Sequence, residues 1–170
     1  KLKKRLLNIV VVGGGFSGVE TIGELKEMSG RLLPYYKNIS ENELKFHIVE
    51  FSDKLLPELA GDISKYTLSV FQKRKINIHL KTALKEVSIY KVFLSNGRSI
   101  ETNTIISTIG STVSKIIKQS GLPLKNGKII TNEFLQVQHL DNVWAIGDSA
   151  LIPNKVNTND YPYSPPTAQF

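Results

Sequence analysis

Gly13, Gly15 and Gly18 stand at the spacing G-x-G-x-x-G within VVVGGGFSGVE, a pattern suited to cradling a phosphate anion. The first glycine permits a tight turn, the second lets a pyrophosphate approach the backbone, and the third lets helix and strand pack closely. Gly14, Phe16 and Ser17 complete the loop, and the N-terminus of the following helix faces the anion. Glu50 closes the run FHIVE and supplies the acid that would accept hydrogen bonds from the adenine ribose hydroxyls. It lies further from the glycines than the usual ~20 residues, and an insertion over 31–45 accounts for the excess. A carboxylate there repels a 2′-phosphate, and no arginine follows to attract one, which favours NADH over NADPH. In NVWAIGDSA, a strand running into Gly147 and Asp148 would set a second carboxylate where it meets sugar-like hydroxyls.

The elements that must position these residues are legible around them. Leu7–Val12 is a continuous apolar run ending in glycines, as in a buried parallel strand. Val19, Ile22 and Leu25 recur at near-helical spacing, and Pro34 ends that helix. A strand over Phe46–Phe51 follows, then a helix capped by Asp62 with Ile63, Tyr66, Val70 and Phe71 on one face, then the short strand INIHL. From Leu84 the pattern alternates through Val87, Ile89, Val92 and Leu94 to Ile100 across the Asn96-Gly97 turn, which predicts an antiparallel meander. NTIISTIG predicts another buried strand. A helical piece around Ile116 and Ile117 and a second turn at Asn126-Gly127 come next, and the Asn-, Pro- and Tyr-rich tail predicts an irregular loop. The fold expected from these elements is α/β, with a parallel sheet plus the antiparallel β-meander.

Composition narrows the chemistry. The 170 residues contain no cysteine, which excludes disulfides, thiolate catalysis and cysteine-ligated metals within the chain. His47, His79 and His139 are isolated in or beside apolar runs and read as residues on a strand's solvent face, without metal or catalytic roles. The net charge is +7, but the lysines are scattered, and KLKKR reads as a solvated linker or tail rather than a nucleic-acid patch. No apolar run approaches the roughly 20 residues of a membrane span. With Lys1 at its start and SPPTAQF at its end, the chain reads as an excised fragment.

About 130 residues separate Gly13 from Gly147, and with that separation the chain resembles the two-dinucleotide flavoproteins, the FAD-dependent pyridine nucleotide oxidoreductases. In that family a first fingerprint holds FAD, a second holds the nicotinamide nucleotide, and a later Gly-Asp returns to the FAD domain. The separation here fits the second fingerprint. GGGFSGVE and PPTAQ, Pro165 to Gln169, are most similar to the type II NADH:quinone oxidoreductases. Ser17 stands where those enzymes usually carry threonine, and STIGS departs from the Ala-Gly or Thr-Gly common near Gly110. Disulfide, ferredoxin or nitrite, and sulfide:quinone reductases share much of the pattern.

The resemblance implies the Rossmann-like FAD/NAD(P)-binding three-layer ββα form of the α/β fold, and a division into an NAD(H)-binding domain over 1–125 and an incomplete returning segment of the FAD domain over 126–170. It implies that Glu20 is catalytic, positioning the nicotinamide or a proton, and that Gly110 lets the backbone approach the nucleotide. Gly147 and Asp148 would contact the ribityl or phosphate region of FAD, and Thr167, Ala168 and Gln169 would lie beside its isoalloxazine ring. The partners implied are NADH and quinone, with a membrane surface reached through a C-terminal part outside the chain; a homodimer is left open. The intact protein would be cytoplasmic and peripheral at the inner face of the membrane. The fragment itself is expected to bind NADH weakly, to hold no FAD and to turn nothing over.

Overall fold

The computed structural model of the chain describes residues 1–59, 61–110 and 114–153. It divides into two compact units, Lys1–Gly110 and Ser111–Phe170. In the first unit, strands β1 (Asn8–Val12), β2 (Lys45–Val49) and β3 (Asn77–His79) join β7 (Thr104–Ser107) in a parallel sheet of order β3-β2-β1-β7. β1 is paired on both edges and covered on both faces, which is why Ile9–Val12 is apolar without alternation.

Each face of that sheet has its own layer. Val11, Phe46 and Ile48 point to one side, where Ile22 of helix α2 (Phe16–Leu32) and Phe71 of helix α3 (Gly61–Lys73) bury them. Val10, Val12 and Val49 point to the other, against Val92, Leu94 and Ile100. Those three come from the meander β4 (Leu84–Ser88), β5 (Lys91–Leu94) and β6 (Ser99–Glu101), paired antiparallel in that order. Helices, parallel sheet and meander make the three layers predicted. Each fully buried aliphatic contributes about 1.5–3 kcal/mol, so the two cores fix the sheet between them.

Three local expectations are corrected. In α3 the inward face is Ser64 and Phe71 with Val70, while Ile63 and Tyr66 are exposed. The helix begins at Gly61, so Asp62 sits inside the first turn, where the helix dipole favours an acid, rather than capping it. KLKKR is not a solvated tail but helix α1 (Leu2–Leu6): Lys3 pairs with Glu43 at 2.6 Å, Lys4 with Glu101 at 3.6 Å, and the Arg5 guanidinium lies 3.9 Å over the Tyr90 ring. Lys3 and the Ser40 N–H together hold the Glu43 carboxyl down at about 2. Past α2, Pro34 falls in a 3₁₀ turn, Leu33–Tyr35, and the insertion closes with a Ser40–Glu43 capping box.

The second unit carries helix α4 (Lys115–Gln119), capped by the Ser114 hydroxyl, and a small sheet of β8 (Leu124–Lys125), β9 (Lys128–Ile130) and β10 (Ala150–Leu151). Asn126 and Gly127, at φ 53° and 79°, form the β8–β9 turn, as the Asn-Gly pair predicts. Ile129, Val137, Ala145, Ala150 and Ile152 form its core. No strand runs through Asn142–Ile146: Trp144 makes one isolated bridge to Gln136, and Gly147–Ser149 is a 3₁₀ turn leading into β10. Gly147 at φ 66° breaks the extended chain, so Asp148 precedes a strand instead of ending one.

His47 and His79 are half-buried rather than set on a solvent face, for His47 shares the strand face of Val49 beneath the meander. Their rings stack at 5.5 Å, with His47 Nδ1 3.2 Å from His79 Nε2. Burial, then the neighbouring His79 and Lys45, pushes His47 down to about 4; burial and Arg98 lower His79. A folded histidine that stays neutral while the unfolded one takes up a proton weakens the fold as pH falls. Stability is therefore expected to drop between pH 6.5 and about 4, by about 1–2 kcal/mol after allowance for solvent screening. Urea midpoints across that range will show it, and His47→Gln should flatten the slope.

Candidate functional site

The C-terminal ends of β1, β2 and β7 and the loop over 51–59 surround a cavity of about 330 Å³, lined by Gly13, Gly15, Glu50, Glu58, Thr82 and Thr108 among others. The glycine loop is built by exclusion. Gly13 has φ 110°, and a Cβ there would stand 2.5 Å from Thr108 Oγ1. A Cβ on Gly18 would overlap the Gly13 carbonyl, so helix α2 starts against the end of β1 with no room for a side chain. On Gly14 it would lie 2.9 Å from Glu50 Cβ and from Leu55 Cδ2. Gly15 alone of the loop faces open space, where a Cβ would find only Glu58 Oε1 at 3.8 Å. It is the N-cap of α2, extended and without a side-chain cap, so the first N–H groups of the helix point towards that space.

Neighbouring segments hold the loop from three sides. The Gly13 N–H donates to the Val49 carbonyl at 2.8 Å, and the Leu56 N–H donates to the Gly14 carbonyl at 2.8 Å. The Thr108 hydroxyl donates to the Val12 carbonyl at 2.9 Å. Glu50, 8% exposed, accepts from the Gly14 N–H at Oε2 and from the Ser52 N–H at Oε1, 2.7 Å away. Two oxygens offer about four acceptor positions, so hydroxyls in the cavity still find free lone pairs. A loop with one open glycine at a helix N-terminus, beside a fixed carboxylate, fits a diphosphate flanked by a ribose.

Residues 1–168 match the sequence pattern of the pyridine nucleotide-disulphide oxidoreductases. The chain belongs to that family. A probable NADH dehydrogenase of Dictyostelium discoideum is 31% identical to it, over 98% of this chain and 36% of its own length. The type II NADH:quinone oxidoreductase of Staphylococcus aureus is 30% identical, over 86% of this chain and 37% of its own. Among solved structures, NDH2 of Plasmodium falciparum in complex with NADH superposes with a TM-score of 0.77 at 26% identity, covering 90% of this chain and 34% of that one. The chain thus spans about a third of the length of the relatives it matches.

In this member of the family the expected residues are not all gathered in one place. Gly13, Gly15, Glu50 and Gly110 line the cavity, Gly110 at φ 46°, and Gly14 backs it. Phe16 and Ser17 open α2, half-buried and exposed. Glu20 is exposed in the second turn of α2, away from the first-turn position where the helix dipole acts, and does not line the cavity. Gly147 and Asp148 belong to the other unit, where burial lowers the pKa of the Lys128 ammonium and the Asp148 charge offsets only part of that. Thr167, Ala168 and Gln169 lie outside the described residues.

Sequence reasoning missed Thr108 and the wall formed by Leu55, Pro57 and Glu58. Thr108 is brought to Gly13 only by β1–β7 pairing, far along the chain. The signal for the wall was the apolar Leu55-Leu56-Pro57 between the charged Asp53-Lys54 and Glu58. The two middle glycines are expected to separate on substitution. Gly14→Ala should cost about 1–3 kcal/mol of stability through overpacking against Glu50 and Leu55, and Gly15→Ala no more than about 1 kcal/mol. Denaturant unfolding of both variants measures the difference.

Proposed function

We propose that this chain is the NADH-binding portion of a flavin-dependent NADH dehydrogenase, which passes hydride from NADH to FAD and electrons on to a quinone. The observation that carries the reading is the open Gly15 at the N-terminus of α2, set beside a Glu50 carboxylate held by two backbone N–H groups. The relatives named NADH dehydrogenase and type II NADH:quinone oxidoreductase, and the NADH complex of NDH2, support it. Bound FAD would supply the hydride acceptor.

The residues divide the work. The Gly13–Gly18 loop seats the pyrophosphate by backbone N–H groups and the helix dipole, with Gly14, Phe16 and Ser17 supplying its turn and first helical residues. Glu50 accepts from the adenine ribose hydroxyls, and Gly110 lets the backbone of the β7 end approach the nucleotide. Exposed Glu20 positions the nicotinamide. Residues 1–125 form the NAD(H)-binding domain, and 126–170 return to the FAD domain, where Gly147 and Asp148, with Thr167, Ala168 and Gln169, meet the flavin nucleotide. The intact protein is peripheral at the cytoplasmic side of a membrane, which it reaches through parts outside this chain, and a homodimer is compatible with this. Among the described residues no helix is long and apolar enough to cross a membrane.

Glu50→Gln is expected to weaken NADH about tenfold and to narrow the preference over NADPH, read by fluorescence titration. In the full-length protein, Glu20→Gln should slow flavin reduction more than it weakens nucleotide binding, read by stopped-flow absorbance. Unchanged NADH affinity in Glu50→Gln would overturn the ribose assignment, and unchanged reduction in Glu20→Gln the positioning role.

A further inference from the structure

We propose that Glu58 sets the affinity and selectivity of the nucleotide site by opposing the diphosphate, an inference that rests on the dinucleotide reading above. Glu58 and Glu50 both line the cavity, and no lysine or arginine does so among the described residues. The two acids differ in kind. Glu50 is buried, and its charge is answered by two N–H donors. Glu58 is exposed, with no hydrogen bond or ion pair to its carboxylate among the described residues. Its Oε1 stands 3.8 Å from the point a Cβ on Gly15 would occupy, so it borders the one opening in the glycine loop.

Its placement is built, not incidental. Leu55 and Leu56 are buried, and the Leu56 N–H is bonded to the Gly14 carbonyl, so the wall that bears Glu58 is tied to the glycine loop itself. Lys54, the cation of the same loop, donates its ammonium to the Leu59 carbonyl at 3.1 Å. A diphosphate entering this site meets helix N–H groups on one side and an unanswered carboxylate at its edge. The carboxylate weakens every nucleotide that carries the diphosphate, and it weakens one with a further phosphate more. Glu58 thus adds to the selectivity that Glu50 alone would give, and it keeps the bound dinucleotide readily exchangeable.

ADP-ribose, which carries the diphosphate but no reactive nicotinamide, is the probe. Its affinity for the intact protein is measured by calorimetry at low and near-physiological ionic strength, beside 2′-phospho-ADP-ribose and adenosine. Glu58→Gln is expected to tighten ADP-ribose about three- to tenfold at low salt and 2′-phospho-ADP-ribose by more, with the gain shrinking as salt rises. Glu58→Asp, which keeps the charge, should stay close to the parent, and adenosine should not respond. An unchanged or weaker ADP-ribose affinity in Glu58→Gln would overturn the proposal, as would an equal gain for adenosine. Failure of every form to bind ADP-ribose would instead overturn the dinucleotide reading beneath it.

Discussion

The corner between β1 and α2 constrains everything else in the first unit. The α-carbon of Gly18 lies against the Gly13 carbonyl, and the Thr108 hydroxyl reaches both the Val12 and Gly13 carbonyls from the neighbouring strand. So close an approach leaves the helix axis little freedom relative to the strand. It aims the first turn of α2 at the cavity and requires β7 beside β1. The order β3-β2-β1-β7 then places three strand ends around one opening.

The proposed diphosphate seat has no cationic side chain. Among the described residues the cavity lining holds two acids and no base, so a negative ligand there would rest on backbone dipoles at the helix N-terminus. One acid is neutralised structurally: Glu50 ties the end of β2 to the glycine loop and keeps lone pairs for hydroxyls. In the proposed site the same residue would serve packing and recognition, and repulsion would shape the selectivity as much as attraction does. The wall over 51–59 extends this logic, since its buried Leu55 and Leu56 fix a loop that leaves Asp53 and Glu58 exposed.

The layers around the sheet explain which sequence patterns were readable. Val10, Val11 and Val12 face alternate sides of a sheet buried on both, so an unbroken apolar run marked the strand. The Asn-Gly turns marked the meander and the β8–β9 hairpin, because few residues tolerate those backbone angles. Helical periodicity in α3 was read one register off: Tyr66 fits an apolar face by type but stands in solvent, while small Ser64 lies buried. The segment ending at Ile146 has strand-like composition, yet Gly147 turns it away before a ladder can form.

The sequence by itself determined the glycine spacing, the strand–turn–helix around it, the acid at the end of the second strand and the α/β class with its parallel sheet and meander, since each follows from local backbone preference or periodic burial. Only the tertiary structure decided that Gly15 is the open glycine, that Thr108 locks the loop, that Glu58 borders that open glycine and that His47 and His79 share a half-buried stack. Those features depend on contacts between residues distant in the chain. They are fixed by strand order and by which buried leucines anchor a loop, and neither leaves a periodic trace in the residues themselves.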